Sequence, residues 1–208
     1  MTFLCGEHGH RLVPIELGSM KSASGMKEEL MTLRAFISEY LVASNDKECW
    51  SLQDAVDTRQ TKIGYLAQHP LIDQIPTLSN DLDMKPGLCG PLGPSHVYVW
   101  IGTGGTRTPL HFDSYANLFV QVVGVKYVRI YSHDETPKLY VSQKQSYSLQ
   151  GNMSDVDCEQ EDYGTFPLAK DAEYEEVLLL PGDALFIPAR AWHYVRSLST
   201  SVSVNYWF

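Results

Sequence analysis

The sequence is poor in cysteine, with only Cys5, Cys49, Cys89 and Cys158, widely scattered. No Cys-x-x-Cys occurs, which argues against a zinc ribbon or a dithiol redox centre. Four reduced thiols in an intracellular protein are expected. Basic charge is also scarce: 16 Lys and Arg face 25 Asp and Glu, for a formal net charge of −9. No basic stripe is visible, so direct nucleic-acid binding is not expected. An acidic surface serves solubility and also suits a basic peptide. No apolar run is long enough to cross a bilayer. No cationic start leads into an apolar segment, so no signal peptide is read. Internal repeats and low-complexity tracts are missing too. These absences point to a soluble protein of the nucleus or cytoplasm.

What is present is enough for one domain: 208 residues, 44% of them hydrophobic. Residues 1–94 read as a mixed α/β part. Val13 to Leu17 suggests a short strand, and Glu28 to Leu41 carries apolar residues at helical spacing. Asn45 to Lys62 reads as a loop or weak helix, Ile63 to Gln68 as a strand, and Pro70 to Leu78 as a short helix. Pro86 to Pro94 is a Pro/Gly linker. Residues 95–208 are mainly β. Val97–Ile101, Leu118–Val123, Lys126–Tyr131, Val177–Leu180, Ala184–Ile187, His193–Ser197 and Val202–Tyr206 are short runs rich in β-branched and aromatic residues. Turn signals such as Pro181-Gly182-Asp183 separate them. Many short strands with tight turns predict a sandwich or barrel. Ser142 to Glu176, rich in Asp and Glu, interrupts the series and reads as a solvated excursion between two sheets.

Two segments carry chemistry: Thr108-Pro109-Leu110-His111-Phe112-Asp113 and Pro188-Ala189-Arg190-Ala191-Trp192-His193-Tyr194. Residues i and i+2 of a strand share a face, so His111 and Asp113 point the same way. With His193 they form a 2-His-1-carboxylate set, which holds Fe(II) and leaves three positions open. Those positions suit a bidentate oxoacid and dioxygen. Lys126 begins a strand after the turn at Gly124. A lysine buried beside such a pocket needs an anion, and the distal carboxylate of a dicarboxylate supplies one. Thr108 can donate to the same carboxylate, and Asn117 can bond the oxoacid near the metal. Each residue alone has a plain structural reading, the histidines as core residues, Lys126 as a surface lysine and Asn117 as a turn residue. Together they favour the metal site. His8, His10, His69, His96 and His133 are assigned no chemistry.

The segments VPIELGS (13–19), GYLAQHPLIDQIP (64–76), TPLHFD (108–113), NLFVQVVGVKYVRIYS (117–132), PGDALFIPARAWHYVRSL (181–198) and SVSVNYW (201–207) carry a resemblance. On them the chain resembles a jumonji-C domain, a family of Fe(II)- and 2-oxoglutarate-dependent oxygenases in the cupin superfamily. It is most similar to a small subgroup of arginyl hydroxylases that also bears the name lysine-specific demethylase. The resemblance implies a double-stranded β-helix, or jelly roll, with N-terminal helical additions. It implies His111, Asp113 and His193 as iron ligands. It implies Lys126, Thr108 and Tyr65 at the C5 carboxylate of 2-oxoglutarate, with Asn117 and Asn205 near its C1 end. Gln68, Trp100 and Trp207 match pocket-lining positions, and Glu16 matches an acid that faces a substrate guanidinium. The implied reaction decarboxylates 2-oxoglutarate to succinate with dioxygen and hydroxylates a protein side chain, arginine first among them.

Two departures stand out. The family's domain begins well before VPIELGS, so the chain is expected to be a short form, a truncated gene model or a fragment. The loop after Glu16 lacks the family's tryptophan and has Met26 near that place. Two other functions stay open: histone lysine demethylation with the same triad, and a non-catalytic cupin that serves as an interaction module. Oligomeric state is not legible.

Overall fold

The computed structural model describes residues 2–18, 27–42, 62–143, 151–160 and 162–208. Among the described residues eleven strands form two sheets in which every pairing is antiparallel. They are β1 (Leu12–Gly18), β2 (Lys27–Thr32), β3 (Ile63–His69), β4 (His96–Gly102), β5 (Arg107–Phe112), β6 (Asn117–Val123), β7 (Lys126–Tyr131), β8 (Tyr174–Leu179), β9 (Ala184–Ile187), β10 (Trp192–Ser197) and β11 (Ser201–Trp207). The major sheet runs β2-β1-β3-β4-β11-β6-β9 and the minor sheet β5-β10-β7-β8. This is the expected jelly roll.

Three apolar clusters hold the layers together. Phe119, Val128, Leu179, Ile187, Ala191 and Val195 pack together, drawn from strands of both sheets. A second cluster covers the outer face of the major sheet, where Val99, Ile101, Val204 and Tyr206 meet Leu33, Phe36, Ile37, Leu41, Leu71 and Ile75 from the N-terminal part. Each such fully buried side chain contributes about 1.5–3 kcal/mol. The helices there are short: α1 (Thr2–Gly6), α2 (Leu33–Phe36), which continues as a π-helix over Ile37–Val42, and α3 (Leu71–Gln74). A 3₁₀ turn over Pro76–Asp81, with the proline in its first turn, follows α3.

The third cluster corrects an expectation. Leu110, Tyr131, Trp192 and Tyr194 line the outer face of the minor sheet, and Leu139, Val156, Cys158 and Ala172 cover them. The acidic stretch is therefore not simply solvated; its apolar residues roof the second sheet. Its charge misled because Glu159 is paired, 2.5 Å from Arg107 and 3.0 Å from Arg196. Asp171, Glu173, Glu175 and Glu176 do face solvent.

A second correction concerns the helix expected over Glu28–Leu41. Residues 27–32 instead form β2, antiparallel to β1. Helical spacing of buried residues begins only at Leu33, and Leu30, counted in the pattern, is 67% exposed. Thr32 caps α2, its hydroxyl accepting from Ala35 N at 3.2 Å. His8 and His133 are half-buried. The loop read over Asn45–Lys62 lies, except for Lys62, outside the described residues, as do Met26 and Cys49. Cys5, Cys89 and Cys158 are free thiols. Among the described residues no helix is long and apolar enough to cross a membrane.

Candidate metal centre

β5 and β10 are neighbours, and their register sets His111 opposite His193. Asp113 follows the last residue of β5. Its Oδ2 lies 4.0 Å from His111 Nε2 and 3.6 Å from His193 Nε2. One ligand atom from each of the three residues falls within 4.8 Å of the others. Arg190, in the left-handed region at φ 66°, donates its N–H to the Asp113 carbonyl at 2.7 Å. That bond ties the turn before β10 to the end of β5.

Backbone carbonyls fix both rings. His111 Nδ1 is 2.8 Å from Pro109 O, and His193 Nδ1 is 3.0 Å from Ala191 O. A carbonyl only accepts, so each Nδ1 carries the proton and each Nε2 keeps its lone pair. Burial, with His111 nearby, pulls the His193 pKa down to about 3. Burial raises Asp113, and the His111 charge partly opposes that. A neutral His193 ligand beside a desolvated carboxylate suits a divalent cation.

The triad opens into a cavity of about 340 Å³ whose walls come from both sheets. Glu16, Tyr65, Gln68, Trp100, Thr108, Asn117, Asn205 and Trp207 all line it. Asn117 and Asn205 are buried, and the Oδ1 atoms of both lack a hydrogen-bond partner in the protein. The indole Nε1 atoms of Trp100 and Trp207 lack one too. Buried polar groups are normally satisfied, so these four atoms, all on residues of the cavity wall, fit a polar ligand in the cavity.

Lys126 is fully buried but is not itself part of the lining. Its ammonium lies 5.2 Å from the Phe119 ring centroid and 5.8 Å from that of Tyr65, both of which line the cavity. Burial alone pulls its pKa down to about 7. Tyr65, whose pKa burial raises, shares a side-chain hydrogen bond with Thr108. Gly102 sits opposite Tyr65 in the sheet, and a Cβ on it would meet the tyrosine ring at 2.6 Å. Only glycine lets Tyr65 lie where it does.

Glu16 of β1 pairs with Tyr65 on one side and Glu28 of β2 on the other. Burial first, then the Glu28 charge, raises its pKa. Gln68 stands exposed at the rim, at a bulge, with φ 45°.

Sequence reading missed Arg107, Pro109, Asn152 and Met153 as lining residues. Met153 forms a β-bridge with His111, and Asn152 Nδ2 donates to Phe112 O at 2.9 Å. Both come from the stretch read as a solvated excursion, and neither belongs to a periodic pattern that would have marked it.

A cupin-like domain model matches residues 15–208. Lysine-specific demethylase 8 of Xenopus tropicalis is 39% identical over 96% of this chain and 42% of its own length. JmjC domain-containing protein F of Dictyostelium discoideum is 38% identical over 100% of this chain and 52% of its own. Lysine-specific demethylase JMJ30 of Arabidopsis thaliana is 35% identical over 100% of this chain and 45% of its own. The chain thus spans about half the length of these relatives. With the jelly roll, the triad and these matches in agreement, the chain belongs to the cupin-like JmjC domain family.

Proposed function

We propose that this protein is an Fe(II)- and 2-oxoglutarate-dependent oxygenase that hydroxylates a protein side chain, with arginine as its target. The observation that carries the reading is the convergence of His111, Asp113 and His193 at one end of a cavity lined by unsatisfied asparagines. Bound iron, with 2-oxoglutarate and dioxygen, supplies the oxidising chemistry: one oxygen atom goes to the substrate C–H bond, the other to succinate, and carbon dioxide leaves.

The chain's own residues do the rest. His111, Asp113 and His193 hold the ion through Nε2, a carboxylate oxygen and Nε2. Asn117 and Asn205 orient the C1 end of 2-oxoglutarate. Lys126, Thr108 and Tyr65 take its C5 carboxylate. Lys126 lies opposite Ser197, four residues along β10 from His193. That is about 13 Å of strand, a span a C5 dicarboxylate and the lysine stem bridge together. Phe119, Ile187 and Val195 keep this part of the cavity apolar. At the open end Glu16 offers a two-oxygen acceptor for a guanidinium fork, while Trp100 and Trp207 offer faces to stack on. Gln68 frames the rim.

In this reading the substrate is a basic protein segment rather than a nucleic acid, and the protein works in the nucleus or the cytoplasm. The names of two relatives favour a second reading, lysine demethylation, which uses the same triad. The two differ in product. Incubation with matched arginine and methyl-lysine peptides, followed by mass spectrometry, distinguishes them. Hydroxylation leaves one added oxygen on arginine. Formaldehyde release with loss of a methyl group, and no hydroxyarginine, overturns the arginine reading. No turnover of 2-oxoglutarate under any condition favours a non-catalytic interaction module instead.

A further inference from the structure

Trp207, on the cavity wall, belongs to a larger aromatic surface. His96, Tyr98 and Trp100 alternate along β4, so their side chains leave on one face of the sheet, the face turned to the cavity. The register sets Trp207 beside His96 and Asn205 beside Tyr98. The Tyr98 and Trp207 rings meet edge-on, 5.3 Å apart at 79°. Tyr115, from the turn between β5 and β6, stacks on Trp207 at 5.7 Å and 16°. His96 stacks on Tyr98 at 5.7 Å and 10°. His96, Tyr98, Tyr115 and Trp207 form a shelf that runs from the cavity wall to the surface, where His96 and Tyr115 are exposed.

The rings touch one another, which decides what the shelf can bind. Centroids 5.3–6.5 Å apart are in direct aromatic contact. No space is left between them for an ammonium, so this is not a cage for a methylated lysine. Their outer faces are what they offer. Elsewhere in the fold aromatic faces attract the protein's own cations: Arg129 lies over Tyr174 and Arg190 over Phe112. Among the described residues no cation takes a ring of the shelf. The chain as a whole carries a formal charge of −9, and Glu16 lines the same cavity. A cation from outside is the complementary occupant.

We propose that the shelf binds a second basic side chain, arginine or lysine, of the same polypeptide whose target residue enters the cavity. The inference rests on the reading above that the cavity receives a protein side chain. His96 and Trp100 are four residues apart on β4, about 13 Å. An extended peptide covers that in roughly four residues, so the second base belongs two to four residues from the target.

The test uses synthetic peptides with one central arginine. A second arginine is placed two, three or four residues away on either side, and norleucine replaces it in matched controls. Each is titrated calorimetrically into the iron-loaded protein without oxygen. The best-placed second arginine should tighten binding about five- to thirty-fold. Tyr115→Ala should reduce that gain to about twofold or less, and Tyr115→Phe, which keeps the ring, should retain it. Equal affinity for all peptides overturns the proposal. So does a norleucine gain equal to that of arginine, or a gain that survives Tyr115→Ala. Mass spectrometry of the same peptides under oxygen separates the two readings. A tightly bound but unmodified peptide leaves the shelf standing and sinks arginine hydroxylation. A hydroxylated peptide with no gain does the reverse.

Discussion

The Glu159 carboxylate accepts the Tyr194 hydroxyl at 2.5 Å, on the face of β10 opposite His193. The same carboxylate pairs with Arg107 of β5 and Arg196 of β10. One acidic residue therefore fastens, from behind, the two strands that present the metal ligands. Its side chain is only 18% exposed, so truncation would leave two guanidinium groups and a phenol short of a partner.

Glu159→Ala should accordingly destabilise the fold by about 2–4 kcal/mol. For a chain of this size that is a drop in Tm on the order of 4–16 °C. Thermal melts in parallel with a surface control such as Glu173→Ala check it. An unchanged Tm would mean that the roof over the minor sheet is not part of its stability.

Lys126 should anchor the cosubstrate. Lys126→Met keeps volume and removes the charge. It should weaken 2-oxoglutarate binding by roughly ten- to a hundredfold, the equivalent of about 1.5–3 kcal/mol for a charge-assisted bond. Metal affinity should move far less. Titration of 2-oxoglutarate into the metal-loaded variant measures this, and unchanged affinity would remove Lys126 from the site.

The same lysine predicts a pH dependence. Its folded pKa, about 7, lies below the ordinary 10.5. Between those values the unfolded chain holds more protons than the folded one, so this group makes stability rise with pH across that window. Lys126→Met should flatten the rise and should be more stable than wild type at pH 7. Binding of the dianion should take up a proton at pH 8, and affinity should fall as pH climbs above 7. Calorimetry in buffers of different ionisation enthalpy reads the proton uptake; its absence contradicts the assignment.

Glu16→Ala should reduce turnover of arginine peptides, mainly through KM, while decarboxylation of 2-oxoglutarate without peptide continues. Because burial and Glu28 raise the Glu16 pKa, acidification neutralises Glu16 before an ordinary glutamate. Arginine-peptide affinity should fall on that side of the pH profile, and the variant should lose this limb. An identical profile in the variant would place Glu16 outside substrate recognition.

Much of the site was legible because strand alternation is rigid. His-x-Asp puts two ligands on one face with no knowledge of the tertiary fold, and β-branched runs marked most of the strands. The third ligand, His193, followed from the strand-like Trp192-His193-Tyr194 segment, whereas Tyr65, Asn205 and Trp207 came through the family resemblance; all four line the cavity. The failures have a shared cause. β2 is an edge strand with an exposed Leu30, so its apolar pattern merged with that of the helix after it. Residues 151–160 showed charge where the fold used their intervening apolar side chains. Asn152 and Met153 reach the metal site only through a bridge to β5, a long-range pairing that local pattern does not encode. His96 was assigned no chemistry, and its contacts with the Tyr115 and Trp207 rings come from the β5–β6 turn and β11, which local pattern does not bring together.

The most direct test of the account is 2-oxoglutarate decarboxylation by purified protein with added Fe(II), wild type against Asp113→Ala. Asp113 supplies the only anionic ligand of the set, so its loss removes both a bond and the charge that offsets the metal. The account predicts succinate formation by the wild type and none above background by Asp113→Ala, whose iron affinity should fall as well. Succinate production by Asp113→Ala at the wild-type rate would contradict it.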